Sequence, residues 1–375
     1  MFLRTDSTAL HRLLVERIHS TGPITFADYM EACLYHPELG YYSGRSETRR
    51  ADYYTSVDMS PIFGRLIARQ LNEMWLILGR PNRFTIGEFG SGTGTLALQI
   101  LDFSRDQLPE FYEAIDYRAI EISVKRQDVT KSALAGHISA GHASILSEMA
   151  EAIAHGCVLT NEFLDALPVH RVVMEDGNLL EIYVDAAEDT LIERKLPISS
   201  PEVRGYFRQQ QLQEGQHAEA ALCACAWIED IGRRLSHGFV LTIDYGREAR
   251  ELYDEQHMSG TMLAYWQHNA SEEFYRAAGE QDLTAHVNFT ALDLWGAKSG
   301  LTRTGLTSQT NFLLSLAREF NFADLKVEGA GEASQVRSRL QFKSLIFPEG
   351  MGETFQVMVQ HKGIAQPVLT GLKPL

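Results

Sequence analysis

The stretch Ile86-Gly87-Glu88-Phe89-Gly90-Ser91-Gly92-Thr93-Gly94 constrains this chain more than any other. Phe84 to Ile86, with Phe89, read as the end of a buried strand, and Leu96 to Leu101 as the first turns of a helix. Between them Gly90, Gly92 and Gly94 recur at every second position. A strand that turns abruptly into a helix needs positions without a Cβ. Such a turn also sets backbone N–H groups and a helix N-terminus against whatever lies across it. This is the first βα turn of a nucleotide-binding α/β sheet. Spacing narrows the nucleotide. A dinucleotide fold calls for G-x-G-x-x-G, but here Thr95 stands where the third glycine belongs, and the glycine comes one residue early. No lysine follows, which excludes a phosphate-binding P-loop.

An acid, Glu88, sits two residues before Gly90. The pattern acid-x-Gly-x-Gly-x-Gly resembles motif I of class I methyltransferases, which bind S-adenosylmethionine. That cofactor carries no pyrophosphate, so its loop needs no phosphate cradle. It carries an ammonium and a sulfonium, so a carboxylate at the strand end is useful to it. Glu88, Gly90, Ser91, Gly92 and Gly94 are therefore expected cofactor residues.

Downstream segments extend the sheet. Tyr117 to Glu121 reads as the second strand, ending in an acid where a carboxylate can accept both ribose hydroxyls. Residues 125 to 155 are poorly patterned and leave strand three unplaced. Val158 to Thr160 reads as strand four, beside strand one, so Asn161, Glu162 and Asp165 are expected to border the transferred methyl group. Phe239 to Gly246 reads as strand five with Asp244 at its carboxyl end, and Phe342 to Phe347 and Thr354 to Val359 as strands six and seven. Before the sheet, helices are expected from Thr8 to His19, from Phe26 to about Leu34 behind a Thr25 cap, and after Ser60-Pro61. A hairpin is expected from Leu179 to Val184 and Leu191 to Lys195, and a helix from Glu219 to Leu235.

The division expected is a helical lead-in over 1–80, a cofactor-binding core over 81–246, an inserted substrate-side region over 247–336 that ends in a helix from Thr310 to Phe320, and C-terminal strands over 337–375 that complete the core. With 375 residues and 45% apolar content the chain can bury such a core beside a second lobe. No run approaches the ~18 apolar residues of a membrane span. The first residues show neither a basic-then-apolar signal peptide nor an Arg-rich transit peptide. Cys33, Cys157, Cys223 and Cys225 form no C-x-x-C pair and read as buried thiols of a reducing compartment, so a cytoplasmic location is expected. A net charge of −15 repels phosphate backbones, which argues against nucleic acid, and attracts a cationic substrate. The 13 histidines show no metal-ligand spacing.

These blocks together resemble the MidA-like S-adenosylmethionine-dependent methyltransferases, a family that includes the mitochondrial complex I assembly factor that methylates arginine. The resemblance rests on Tyr29-Met30, on Leu34 to Tyr42, on Tyr54-Thr55-Ser56 with Ile62-Phe63-Gly64, and on the glycine loop. It continues through Asn161 to Pro168, Ile243 to Gly246, Asp282 to Phe289 and Met351-Gly352-Glu353. It implies a class I Rossmann-like seven-stranded sheet, methyl transfer to an arginine of a protein, and cofactor contacts at Thr55 and Ser56. Asn288 stands where the family usually has an acid, which bears on the charge of the substrate cleft.

Direct transfer asks mostly for positioning. A guanidinium is always protonated and has no free lone pair. A carboxylate pair holds its fork bidentately and leaves one nitrogen for the methyl group. Glu162 and Asp165 are the expected pair, with Asp244 and Asp282 behind them, and His286 is either a proton acceptor or a packed histidine. The same loop and insert would also serve a small-molecule acceptor, or an assembly factor with little turnover.

Overall fold

The computed structural model describes residues 8–43, 60–266, 269–325, 340–346 and 355–375. Its strands in chain order are β1 (Ile24–Thr25), β2 (Phe84–Phe89), β3 (Ile115–Ile120), β4 (Ala143–Leu146), β5 (Ile153–Asn161), β6 (His170–Glu175), β7 (Asn178–Ala187), β8 (Thr190–Pro197), β9 (His217–Ala220), β10 (Leu235–Arg247), β11 (Leu263–Trp266), β12 (Asn269–Ser271), β13 (Asp282–Thr284), β14 (Val287–Asn288), β15 (Thr302–Ser308) and β16 (Phe355–Lys362). The chain divides into two compact units. An α/β unit takes residues 54–163, 228–245 and 293–375, and a second unit takes residues 1–53, 164–227 and 246–292.

In the α/β unit the strands run in the order β15-β16-β10-β5-β2-β3-β4. From β4 to β10 all neighbours are parallel, while β16 is antiparallel to both β10 and β15. β2 is buried along nearly its whole length, as a central parallel strand covered on both faces must be. The chain steps outward from β2 to β3 to β4 and then returns on the other side of β2 as β5. That reversal is a topological switch point, and ligands of such sheets lie beyond the carboxyl ends of the strands there. Phe89 is level with Thr160 in the β2–β5 ladder, so the glycine loop and the Asn161-Glu162 turn leave the sheet at the same height.

The helix Pro61–Ile77 starts at a Ser60 cap, whose hydroxyl accepts the Ile62 N–H, with proline in the first turn. It buries Ile62, Phe63, Leu66, Ile67, Leu71 and Met74, an i, i+3, i+4 stripe. That stripe shares one core with Ile86, Leu159 and Leu241 of the sheet and with Phe312, Leu313 and Leu316 of the helix Gln309–Glu319.

Two sequence expectations are corrected in this unit, and one strand left unplaced is located. Residues 340–346 form a helix and not a sixth strand. Phe342 and Leu345, three apart, are both buried, a helical spacing that a short apolar run conceals. The strand in that place is β15, which pairs with β16 and lies in what looked like the insert. The unpatterned stretch holds the helices Val124–Ala133 and Ala135–Ser139 followed by β4. In the first of these only Thr130 is buried, so it presents no apolar stripe to read.

In the second unit the antiparallel path β1-β7-β6-β9 carries β8 on β7, and a separate three-stranded sheet runs β12-β11-β13. The expected hairpin is β7–β8, closed between Ala187 and Thr190. Thr25 forms a complete capping box with Asp28 at the start of the helix Phe26–Tyr35. That helix buries Phe26, Tyr29, Met30, Cys33 and Leu34 against Val184, Leu283 and Phe274. The expected lead-in is therefore split at Tyr53, and the expected insert at Leu292. No helix among the described residues is long and apolar enough to cross a membrane.

Candidate active site

At the switch point of the α/β unit all three loop glycines take positive φ: 69° at Gly90, 57° at Gly92 and 76° at Gly94. A side chain would be strained at each of them. Space is closed too: a Cβ on Gly90 would lie 2.9 Å from the Phe163 ring, and one on Gly94 would lie 2.7 Å from the Thr130 methyl. The loop is pinned from beneath by Glu121. Its Oε2 accepts the Gly92 N–H at 3.0 Å and its Oε1 accepts the Ser123 N–H at 2.8 Å. Burial pushes the Glu121 carboxyl up, and the Ser123 N–H, the Arg126 charge and the Gly92 N–H oppose the rise.

Glu88 lies on the same face of the sheet. The β2–β3 ladder sets Ile86 level with Tyr117 and Glu88 level with Ala119, so Glu88, Tyr117 and Glu121 project to one side. The Tyr117 hydroxyl donates to Glu88 Oε2 at 2.9 Å. Burial pushes the Glu88 carboxyl up to about 8, with Tyr117 opposing and the charge of Glu121 adding. β5 ends in a second strained turn. Glu162 has φ 52°, a left-handed backbone in a non-glycine residue, and such strain concentrates at functional positions. Asn161 Nδ2 donates to Glu162 Oε1 at 3.1 Å. Asp244 holds this turn in place. It is fully buried, its Oδ2 accepts the Phe163 N–H at 3.1 Å and its Oδ1 accepts the Tyr245 N–H at 3.0 Å. These two contacts shape the turn that carries Glu162.

Orphaned polar atoms test whether a nucleoside fits. Ser91 Oγ, Ser123 Oγ and Asn161 Oδ1 are buried and have no partner among the described residues. They sit at or just beyond the carboxyl ends of β2, β3 and β5. Buried unpaired polar groups are costly, and at the mouth of a switch point they suit a ligand rich in hydroxyls and amines. Two exposed apolar side chains, Ile122 at 54% and Val124 at 69%, flank Ser123 beside the Glu121 carboxylate. Sequence reasoning missed them, and also Tyr117, although the parallel register could have placed Tyr117 on the Glu88 face.

In the second unit three distant sequence blocks converge. Tyr42 donates to both oxygens of Asp282, at 2.8 and 3.0 Å. Asp282 sits opposite Tyr265 in the β11–β13 ladder. Burial raises the Tyr265 hydroxyl, and the charges of Asp165 and Asp282 raise it further. The Asp165 carbonyl accepts the Ala285 N–H at 2.9 Å, and the Tyr35 ring stacks on Tyr42 at 5.7 Å while its hydroxyl donates to the Ala166 carbonyl. Asp165, Asp282, Tyr42 and Tyr265 thus form one acidic and aromatic cluster, both carboxylates being almost wholly buried.

Two further expected residues have surroundings of their own. His286 is held low, at about 4, first by burial and then by the charges of His257 and Arg247. It is neutral at pH 7 and a weak base, which disfavours the proton-acceptor reading. Asn288 is the cap of the helix Phe289–Lys298: its Oδ1 accepts the Ala291 N–H at 3.0 Å and its Nδ2 donates to the Tyr253 hydroxyl at 3.2 Å. Asn288 is therefore a buried helix cap that also lines a cavity with His286, Tyr206 and Cys225. Thr55 and Ser56 lie outside the described residues.

Comparison with known proteins identifies the family. A family profile described as putative S-adenosyl-L-methionine-dependent methyltransferase matches residues 66–307, well over half of the chain. The chain belongs to that family. Its members are S-adenosylmethionine-dependent methyltransferases, and so is this protein. It is 28% identical to the mitochondrial protein arginine methyltransferase NDUFAF7 of Mus musculus over 93% of this chain and 83% of the mouse protein. To the protein of that name in Homo sapiens it is 27% identical, over 93% of this chain and 82% of the human one. A crystal structure from Burkholderia thailandensis with S-adenosyl-homocysteine bound superimposes with a TM-score of 0.87 at 28% identity, covering 97% of this chain and 94% of that one. The α/β methyltransferase fold and the cofactor are thus those expected from the glycine loop.

Proposed function

We propose that this methyltransferase acts on the guanidinium of an arginine in a protein substrate. The observation that carries the reading is the convergence of Asp165 and Asp282 with Tyr42 and Tyr265. Two carboxylates among tyrosine rings suit a planar cation, which they meet with bidentate hydrogen bonds and ring stacking. The relatives named protein arginine methyltransferase support the same substrate class. In this reading the seven strands on the main path are the class I methyltransferase sheet. Glu88, Gly90, Ser91, Gly92, Gly94, Glu121 and Asn161 hold the cofactor, with Thr55 and Ser56 assigned by resemblance. S-adenosylmethionine supplies the methyl group. Glu121 takes the ribose, and Ser91, Ser123 and Asn161 complete the polar contacts. Asp165 and Asp282 hold the guanidinium fork and draw its charge onto two of its nitrogens; the third takes the methyl group as the sulfonium C–S bond breaks, and it gives up its proton to solvent. Tyr42 fixes the Asp282 carboxylate. Glu162, strained at its backbone, is assigned to the methyl end of the cofactor site. The free cysteines Cys33, Cys157, Cys223 and Cys225 suit a reducing compartment, which in our reading is the cytoplasm; the mouse and human relatives are mitochondrial by name.

The test is methyl transfer from labelled cofactor into a cell extract. The label is expected in protein, as methylarginine after hydrolysis. Asp165→Asn and Asp282→Asn are each expected to lower incorporation by roughly 10²-fold while cofactor affinity changes little. Label confined to small molecules would overturn the substrate class. Wild-type rates in both variants would move the acceptor site elsewhere.

A further inference from the structure

Among the described residues, Glu88 meets a phenol and a second carboxylate and no cation. Tyr117 donates to it from β3, and Glu121 acts on it from the end of that strand. From β5 the Cys157 thiol bears on Tyr117, and from the helix Val124–Ala133 Arg126 bears on Glu121. Glu88 is 4% exposed and lies directly before the glycine loop. Among the described residues this buried acid beside another acid finds no counter-charge, and a ligand or a proton can supply it.

We propose that Glu88 is the residue by which this protein tells S-adenosylmethionine from S-adenosylhomocysteine: its carboxyl releases a proton to solvent when the sulfonium form binds, and takes one up from solvent once the methyl group and its positive charge have left. The proposal rests on the reading that the cofactor lies across the glycine loop. S-adenosylmethionine carries two positive centres and one negative, and S-adenosylhomocysteine carries one of each. A positive charge brought into a water-poor site favours the Glu88 carboxylate, and each further positive charge favours it more. With the carboxyl pushed up to about 8, the site without ligand is mostly protonated at neutral pH. Binding of the sulfonium form must then tighten as pH rises, by about tenfold per pH unit for one whole proton, and must level off above that value. The demethylated cofactor follows a shallower line. The two therefore diverge in affinity as Glu88 ionises, and the product is the one released.

The experiment is titration calorimetry of both cofactors between pH 6.5 and 9.5 in buffers of different ionisation enthalpy, which counts protons directly. Near pH 7, S-adenosylmethionine is expected to release close to one proton and S-adenosylhomocysteine clearly less. Glu88→Gln is expected to abolish the release and to lower the affinity ratio of the two cofactors by about tenfold. Tyr117→Phe removes the donor that opposes the rise, so the release should move to higher pH, and it serves as a second readout if Glu88→Gln does not fold. Equal release by both cofactors overturns the proposal. So does wild-type release in Glu88→Gln, which would assign the proton to Glu121. If neither cofactor binds at any pH, the placement across the glycine loop fails, and the proposal with it.

Discussion

Asp244 at the end of β10 accepts the N–H of Phe163, 81 positions earlier in the chain, at 3.1 Å, and so holds the turn that follows β5. Its other oxygen takes the Tyr245 N–H, so one buried carboxylate satisfies two backbone donors. Asp244→Ala leaves both donors unpaired, at roughly 1–3 kcal/mol each. The variant is expected to melt at clearly lower temperature and to bind cofactor more weakly. Asp244→Asn keeps one acceptor and should lose about half as much. Equal melting of all three proteins would mean that the turn stands without Asp244.

If Glu162 serves the chemistry, its strained backbone sets stability against activity. A non-glycine residue at φ 52° pays a conformational cost of about 1 kcal/mol, which glycine does not. Glu162→Gly is expected to melt no lower than the wild type and to lose turnover. Glu162→Gln keeps the strain and the shape, so its melting should match wild type while turnover falls by roughly 10²-fold. Full activity in either variant would remove Glu162 from the chemistry.

Asn288→Asp restores the acid usual in the family. An aspartate still caps the helix but cannot donate to the Tyr253 hydroxyl, so a loss of about 1 kcal/mol in stability is expected. Because the position is 5% exposed, the Michaelis constant for the acceptor should not move. A changed acceptor preference would return Asn288 to the substrate site.

The pH dependence of folding follows from Glu88. Its folded carboxyl is pushed above the ordinary range to about 8. Relative to the unfolded chain, its contribution is therefore fully present below the usual carboxylate pKa and is lost as pH rises through about 8. Melting temperatures of the ligand-free wild type and Glu88→Gln, measured from pH 5 to 8.5, should separate in favour of the variant as pH rises. A constant difference across that range would show that Glu88 does not titrate within it.

The local features were legible in the chain. The glycines of the loop, the Ser60-Pro61 start and the Thr25 cap are dictated by backbone sterics and by orphan N–H groups, which act within a few residues. Glu88, Glu121, Asn161 and Glu162 could be placed because β2, β3 and β5 are buried runs whose carboxyl ends carry the chemistry of any such sheet. What the sequence hid were relationships between distant segments. The helix over 340–346 and β15 exchanged roles because a short apolar run suits either conformation until its neighbours are known. The helix Val124–Ala133 buries a single residue and so leaves no period. Asp244 reads alike at a strand end whatever it meets, and its hold on the Phe163 N–H is visible only once the chain has folded back. Asp165 and Asp282 are 117 positions apart, and their union with Tyr42 and Tyr265 is the work of the β11–β13 ladder and the Ala285 hydrogen bond. Sequence by itself determined where the chain turns and which cofactor its loop can cradle, because those are short-range constraints. Tertiary structure decided which acids are shared with backbone, which with tyrosines and which with one another, because burial and charge are properties of neighbours in space.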